Sequence, residues 1–101
     1  MQLYGGIRKT NIVEMIYYRQ TILNQIKSAS NEKEVEEAIS QSIQRLKVKN
    51  VNSHIIQRFI LNMGMTLHRE RTEPVSLEAL QNMDLAIGLF QKLHKPDNEN
   101  R

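Results

Sequence analysis

Apolar residues recur along most of this chain at spacings of three and four, which is the period of an amphipathic helix. Four segments show the pattern, and short polar connectors at residues 29–30, 49–51 and 72–75 separate them. Short connectors favour antiparallel packing of consecutive helices. The pattern therefore predicts an all-α fold with a single domain at residues 11–95, built as an antiparallel up-down-up-down four-helix bundle.

Capping residues predict where the helices begin. A short side-chain oxygen from Thr10 or Asn11 can accept a hydrogen bond from the first turn of the first helix. Asn31, followed three residues later by Glu34, resembles a capping box at the second helix. Ser76 can cap the fourth helix, which ends before Pro96 because the residue preceding a proline avoids the α region. We predict helices over residues 11–28, 31–47, 52–69 and 77–94.

The two ends of the chain are expected to lie outside the bundle. Residues 1–10 contain Gly5 and Gly6 and are predicted to form a flexible arm. The arm also carries Leu3, Tyr4 and Ile7, which could dock it onto the helices. Residues 96–101 are polar and are predicted to be a frayed tail.

The apolar stripe of each helix predicts the core. The stripe of the fourth helix covers more than half of its circumference, so this helix is expected to contact more than one neighbour. The predicted core residues are Ile12, Met15, Ile16, Ile22, Leu23 and Ile26 in the first helix, Val35, Ala38, Ile39, Ile43 and Leu46 in the second, Ile55, Ile56, Phe59, Ile60, Met63 and Leu67 in the third, and Leu77, Leu80, Met83, Ala86, Ile87, Leu89, Phe90 and Leu93 in the fourth.

Four polar residues fall near the middle of the four predicted helices, namely Arg19, Ser42, Asn62 and Asp84. Up-down-up-down connectivity would bring them to one height, which predicts a buried hydrogen-bonded polar layer. An unpaired buried charge is costly, so Arg19 would need Asp84 as its partner. The alternative is that the aliphatic stem of Arg19 rests on the core while its guanidinium reaches water.

Leu61 and Met65 form a second apolar strip on the third helix, more than 100° from its main stripe at ~100° per residue. A four-helix bundle already buries each main stripe, so this strip needs a different cover. The strip is expected to bury itself against the arm, against the fourth helix or against another chain. In the intramolecular case, the third helix would be the central helix of an irregular bundle, with Leu3, Tyr4 and Ile7 covering the strip. Arginine and methionine are common at interfaces, so we take Arg58, Leu61, Met65 and Arg69 as the candidate interface.

Composition narrows the classes of function. The chain has 101 residues, a net charge of +3 and no cysteine, which fits one small soluble domain without disulfides or a thiolate zinc site. The absence of cysteine suits the cytoplasm. No stretch approaches the ~20 apolar residues of a membrane span, and the first residues do not resemble a signal peptide.

The residues offer little chemistry for an enzyme. The three histidines, His54, His68 and His94, lack the spacings with which helices bind metals, so we expect neither a metal site nor a cofactor. No serine lies in a nucleophile elbow. Gly5 and Gly6 precede two cations but lack the spacing of a phosphate-binding loop. A small enzyme with its site at the polar layer is the least favoured interpretation.

The sequence thus favours a small non-enzymatic domain that acts through protein–protein contact, most simply as a homodimer, and otherwise with another protein. The alternative from a different class is a nucleic-acid-associated protein that uses the basic arm and the helix ends, because Lys and Arg number 14 against 11 Asp and Glu. We do not favour it, since the signs are interspersed and the third helix is too apolar to enter a groove of DNA.

Overall fold

The computed structural model describes residues 3–73 and 75–94, with side chains from residue 14 onward. The regular elements in this part of the chain are four α-helices: α1 (Leu3–Lys27), α2 (Glu32–Val48), α3 (Ser53–Glu70) and α4 (Leu77–Leu93). They pack into one globule with a radius of gyration of 14.7 Å. The predicted all-α four-helix fold is confirmed. The antiparallel up-down-up-down order stays a prediction.

Three helices begin at the predicted kind of cap. The first N–H groups of a helix have no partner within it, so a cap side chain that accepts from one of them fixes the start. The cap bonds run from Glu34 N–H to Asn31 Oδ1 (2.9 Å), from His54 N–H to Asn52 Oδ1 (2.7 Å) and from Ala79 N–H to Ser76 Oγ (3.0 Å). The predicted starts of α2, α3 and α4 are therefore confirmed to within one residue.

The predicted start of α1 is wrong, because α1 begins at Leu3 and not near Asn11. No proline interrupts residues 3–11, and Gly5 and Gly6 cost a helix only about 1 kcal/mol each relative to alanine. Thr10 and Asn11 are thus inside the helix and do not cap it. The flexibility of the predicted arm stays a prediction, and the predicted tail at residues 96–101 lies outside the described residues.

All four helices contribute to one core. Phe59 of α3 lies within it, with its ring centroid 5.6 Å from that of Tyr18 and 6.4 Å from that of Phe90. The buried apolar residues are Ile22, Leu23, Ile26, Val35, Ile39, Ile43, Leu46, Ile56, Phe59, Ile60, Met63, Leu67, Ala79, Met83, Ala86, Ile87 and Phe90. Most of the predicted stripe residues are therefore confirmed as core. The side chain of the predicted core residue Ile12 lies outside the described residues.

Some stripe residues are exposed, contrary to the prediction. Ile16 is 51% exposed and Ile55 is 48% exposed. Ile16 lies in a part of α1 where Met15 and Tyr18 are only partly buried against the core, and full burial along the described part of α1 begins at Ile22. Ile55 is in the first turn of α3, turned by ~100° from the buried Ile56. Leu77 and Leu93, the first and last residues of α4, are also exposed. Periodicity identifies the apolar face of a helix, but not where its neighbours end.

The helix α4 is the central element, because it packs against each of the other three helices more extensively than they pack against one another, and most extensively against α3. Its broad apolar face predicted more than one neighbour, and this is confirmed. The consecutive helices α2 and α3 contact each other least, so the bundle is irregular. The helix α3 packs against α4 and, to a smaller extent, against α1. Its opposite, outer face is not covered by any other described helix.

Candidate interaction surface

The outer face of α3 carries the four residues of the candidate interface. Arg58, Leu61, Met65 and Arg69 are all exposed. Their spacing of three, four and four residues places them on one side of the helix. Leu61 is 46% exposed and Met65 is 58% exposed, so no described part of the chain covers the apolar strip. The structure therefore brings these residues together as one surface with an apolar centre and an arginine at each end.

A groove between α3 and α4 adjoins this strip and has a volume of about 190 Å³. Its lining consists of Ile60, Leu61, Gly64, Met65, His68, Ile87, Phe90, Gln91 and His94. A Cβ atom added at Gly64 would meet no atom within 4 Å, so the groove is open at this position. We refer to the groove together with Arg58 and Arg69 as the α3–α4 surface.

Sequence reasoning missed the α4 side of this surface. An apolar stripe is a property of one helix, whereas the groove exists only where α3 and α4 meet. The available signal was Gly64, a glycine in the interior of α3 between Met63 and Met65. Such a glycine lowers helix propensity and often marks a packing or functional requirement.

The charged residues that the structure describes on the outer face of α3 are all cations. No Asp or Glu occurs in α3 between Ser53 and Arg69, and the described residues that line the groove include none. Arg58 and Arg69 are both exposed to water. The apolar centre is therefore bordered by cations, with no carboxylate of α3 on the same face to offset them.

Two described carboxylates that are close in sequence to groove residues, Glu70 and Asp84, are already paired. Glu70 Oε1 lies 3.0 Å from Lys27 Nζ, which joins the end of α3 to the end of α1. Asp84 Oδ1 lies 3.0 Å from Arg71 Nη2, which joins the residue after α3 to α4. Both pairs are partly exposed, so each contributes at most about 1 kcal/mol to stability. Their consequence here is that neither carboxylate is free to neutralise Arg58 or Arg69.

The predicted buried polar layer does not form. Asp84 is exposed, and its carboxylate pairs with Arg71 and not with Arg19. Arg19 and Asn62 are half-buried, and Ser42 alone among the four is buried. The prediction failed because it assigned equal heights to residues from a regular bundle, whereas the helices pack irregularly. Position in the apolar stripe correctly predicted the burial of Ser42.

Ser42 and Tyr18 form a small polar contact in place of the layer. The Ser42 hydroxyl donates to the Ile39 carbonyl one turn earlier at 2.7 Å, so its burial leaves no donor unpaired. The Tyr18 hydroxyl donates to the Ser42 carbonyl at 2.7 Å and thereby joins α1 to α2. Burial raises the pKa of Tyr18 above its ordinary value of 10.0, and the nearby Arg45 guanidinium offsets part of this increase. Tyr18 is therefore a neutral structural donor at physiological pH.

Two wider cavities, of about 710 and 640 Å³, lie away from the α3–α4 surface. The first is bordered by Arg45 and Lys49, and the second by Glu32 and Glu78. No residue of the predicted polar layer lines either one, so the cavities give no support to an enzyme site at that layer. Among the residues that the structure describes, no three His, Cys, Asp or Glu side chains cluster as metal ligands would.

Comparisons with protein families, with curated proteins and with solved structures find no match to this chain. Over the described residues, none of the helices combines the length and apolarity needed to cross a membrane. Function is therefore inferred from the α3–α4 surface itself.

Proposed function

We propose that this chain is a non-enzymatic domain that acts by binding protein through the α3–α4 surface. The observation that supports this is the exposure of Leu61 and Met65 beside an open groove, in a molecule whose other α3 stripe residues are mostly buried. Large apolar side chains that cluster on a surface and are rimmed by polar groups are typical of binding sites. Burying them against a partner would contribute about 25 cal/mol per Å² of apolar area.

The composition of the surface also favours a protein partner. Methionine and arginine are enriched at protein interfaces, and both occur here beside the open groove. Nucleic-acid-binding surfaces instead need an open polar and basic face, whereas the centre of this one is apolar. We place the role in the cytoplasm, which the absence of cysteine suits. Self-association, the simplest expectation from the sequence, is one form of this proposal.

Photo-crosslinking in the source cells tests the proposal. The variant carries benzoylphenylalanine in place of Leu61, and the matched control carries it in place of Gln44, which is exposed on α2. We expect a discrete protein adduct from position 61 and none of that size from position 44. An adduct of twice the mass of the chain identifies a second copy, and mass spectrometry identifies any other partner.

Two outcomes contradict the proposal. One is that position 61 gives no adduct, or only the diffuse background of position 44. The other is an adduct that nuclease digests, which would favour the nucleic-acid alternative. Retention on heparin that decreases with salt and does not depend on Leu61 would support the same alternative.

A further inference from the structure

The shape of the groove indicates the kind of group it accepts. Its volume of about 190 Å³ is below the ~300 Å³ at which pockets for small molecules begin. Ile60, Ile87 and Phe90 give it an apolar floor that two helices hold in place. A narrow apolar groove between two helices is the usual receptor for the apolar side chains of a third helix. The groove thus fits side chains of a protein segment better than a cofactor.

Gly64 adds a second geometric feature to the groove. It is helical without positive φ, and the space beside it is open. A position without a side chain lets another backbone approach α3 closely. Gly88 of α4 has the same open space but does not line the groove. Gly64 and Gly88 therefore have equally open surroundings, but only Gly64 lines the groove.

The cations set the charge of the partner. Arg58 and Arg69 are eleven residues apart, which is about three helical turns or roughly 16 Å. A helix lying along α3 would meet one arginine near each end of the apolar strip. Charge complementarity then calls for carboxylates on that helix at the same separation, flanking its apolar residues.

The same cations disfavour a second copy of this chain. A symmetric dimer places the same surface of each protomer in contact. If the two α3 helices ran antiparallel about Met63, Arg58 of one protomer would face His68 and Arg69 of its partner. If they ran parallel, each arginine would face its own equivalent. Like charges meet in both arrangements, and such contacts oppose association.

We infer that the α3–α4 surface binds an amphipathic helix of a different protein, whose apolar side chains enter the groove beside Gly64 and whose carboxylates, about three turns apart, pair with Arg58 and Arg69. This inference rests on the proposed function and names the partner chemistry of the same site. Arginine pairs with carboxylates through two parallel hydrogen bonds, so these contacts also fix the register of the bound helix.

A displayed library of helical peptides tests the inference. Four central positions of one face vary between apolar and polar residues, and two flanking positions eleven residues apart vary among Glu, Gln and Lys. Selection uses the full-length chain. We expect enrichment of apolar residues at the centre and of Glu at both flanks. Enrichment of Lys or Gln at the flanks, or no enrichment, would overturn the inference.

Variants of the chain locate the binding site of the selected peptides. Gly64→Leu fills the groove, and we expect at least a tenfold loss of affinity. Gly88→Leu is the matched control and should bind like the unaltered chain, because both glycines have open space and both variants should fold. Circular dichroism checks the fold. Equal loss from both variants, or from neither, would contradict a site in the groove.

Charge reversal tests the pairing itself. In the double variant Arg58→Glu/Arg69→Glu, we expect peptides with Glu flanks to bind at least tenfold more weakly and the same peptides with Lys flanks to bind more tightly. Loss of both peptides would contradict specific pairing. Binding of vesicles with anionic lipid or of duplex DNA in preference to the Glu-flanked peptides would also overturn the inference.

The failures of the two proposals can be told apart. A protein adduct at position 61 combined with a library that enriches Lys or Gln leaves the protein-binding function standing and removes the acidic partner. A crosslinked adduct of two copies of this chain has the same effect. Absence of any protein adduct removes both proposals together.

Discussion

Tyr18 of α1 connects three helices through two kinds of contact. Its hydroxyl donates to the Ser42 carbonyl of α2, and its ring packs against Phe59 of α3. The ring supplies apolar burial and the hydroxyl satisfies a partly buried acceptor, so the residue combines packing with orientation. Its neighbour Tyr17 is exposed and makes no comparable link among the described contacts.

We expect Tyr18→Phe to lower the free energy of unfolding by about 0.5–1.5 kcal/mol, because it removes the hydrogen bond and keeps the ring. Urea denaturation measures the change. Tyr17→Phe is the control and should change stability by less than about 0.5 kcal/mol, as is usual for surface residues. A cost for Tyr17→Phe as large as that for Tyr18→Phe would show that the contact to Ser42 is unimportant.

The stability difference between the unaltered chain and Tyr18→Phe should also depend on pH. Because burial raises the pKa of Tyr18, the unfolded chain releases this proton at a lower pH than the folded chain does. The contribution of Tyr18 is therefore complete below pH 10.0 and is lost as the pH rises through the folded pKa. We expect the stability difference between the unaltered chain and Tyr18→Phe to shrink as the pH rises above 10.0. A constant difference would contradict the raised pKa.

Single residues were the least predictable part of the molecule. The sequence correctly placed Ser42 in the core, because it occupies a stripe position. It could not assign Asp84 its partner, since that depends on how α3 and α4 are rotated and how far they are displaced along each other. Arg71 lies just past the end of α3 and reaches Asp84 only in the assembled fold.

The helix α3 packs into the core with one face and presents the apolar strip of Leu61 and Met65 to water with the other. Its inner face carries Ile56, Phe59 and Met63 into the core, and its outer face carries Leu61 and Met65 to water. The sequence predicted this division, because the two sets lie on different sides at 3.6 residues per turn. It did not predict that Ile55 belongs outside. Ile55 is turned by ~100° from the buried Ile56 in the same turn, so its side chain reaches water although both isoleucines fit the apolar pattern.

Adjacent isoleucines of α3 test this division. We expect Ile56→Ala to cost about 2–5 kcal/mol, the range for large-to-small changes in a core. Ile55→Ala should cost less than about 1 kcal/mol, because Ile55 is half exposed. Thermal unfolding of the two variants measures both values. Equal losses would mean that the Ile55 side chain is packed in solution as closely as that of Ile56.

Alanine substitutions at the helical glycines Gly64 and Gly88 are expected to raise stability rather than lower it. Gly64→Ala and Gly88→Ala should each raise stability by about 0.5–1 kcal/mol, since alanine is the better helix former and a Cβ meets no atom within 4 Å at either position. The corresponding increase in Tm is about 2–8 °C for a domain of this size. A lower Tm for Gly64→Ala would show that the groove is closed in solution.

At the level of the whole molecule, the connection between α1 and α2 is fixed by α4. The Asn82 side-chain amide donates to the Ala29 carbonyl at 2.9 Å, a contact between residues far apart in sequence. The central position of α4 makes this contact possible. The connector is thereby tied to the core, although it has no regular structure of its own.

We expect Asn82→Ala to lower the free energy of unfolding by about 0.5–1.5 kcal/mol, with faster amide hydrogen exchange around residues 28–31. Gln81→Ala is the matched control, because Gln81 is exposed on the same helix and should change neither quantity. Unchanged exchange in the connector of Asn82→Ala would contradict the anchoring role.

Fold class, helix number and most core residues followed from the sequence because they depend on local periodicity and capping. Asn31 and Ser76 behaved as expected, since a cap needs only the residues beside it. The predicted start of α1 was wrong because no residue before Asn11 is a strong helix breaker, so the helix extends back to Leu3. The central place of α4 and the groove beside Gly64 depend on contacts between helices, which periodicity within one helix does not encode.

Met63 and Met65 differ in exposure, so their oxidation can show whether a partner covers α3. Met63 is fully buried, whereas Met65, two residues later, is 58% exposed. Mild peroxide converts accessible methionines to the sulfoxide and spares those without solvent contact. In the isolated chain, Met65 should gain oxygen first while Met63 acts as an internal reference. Any macromolecule that covers α3 would shield Met65, so peptide mass spectrometry could detect its attachment whatever its chemical identity.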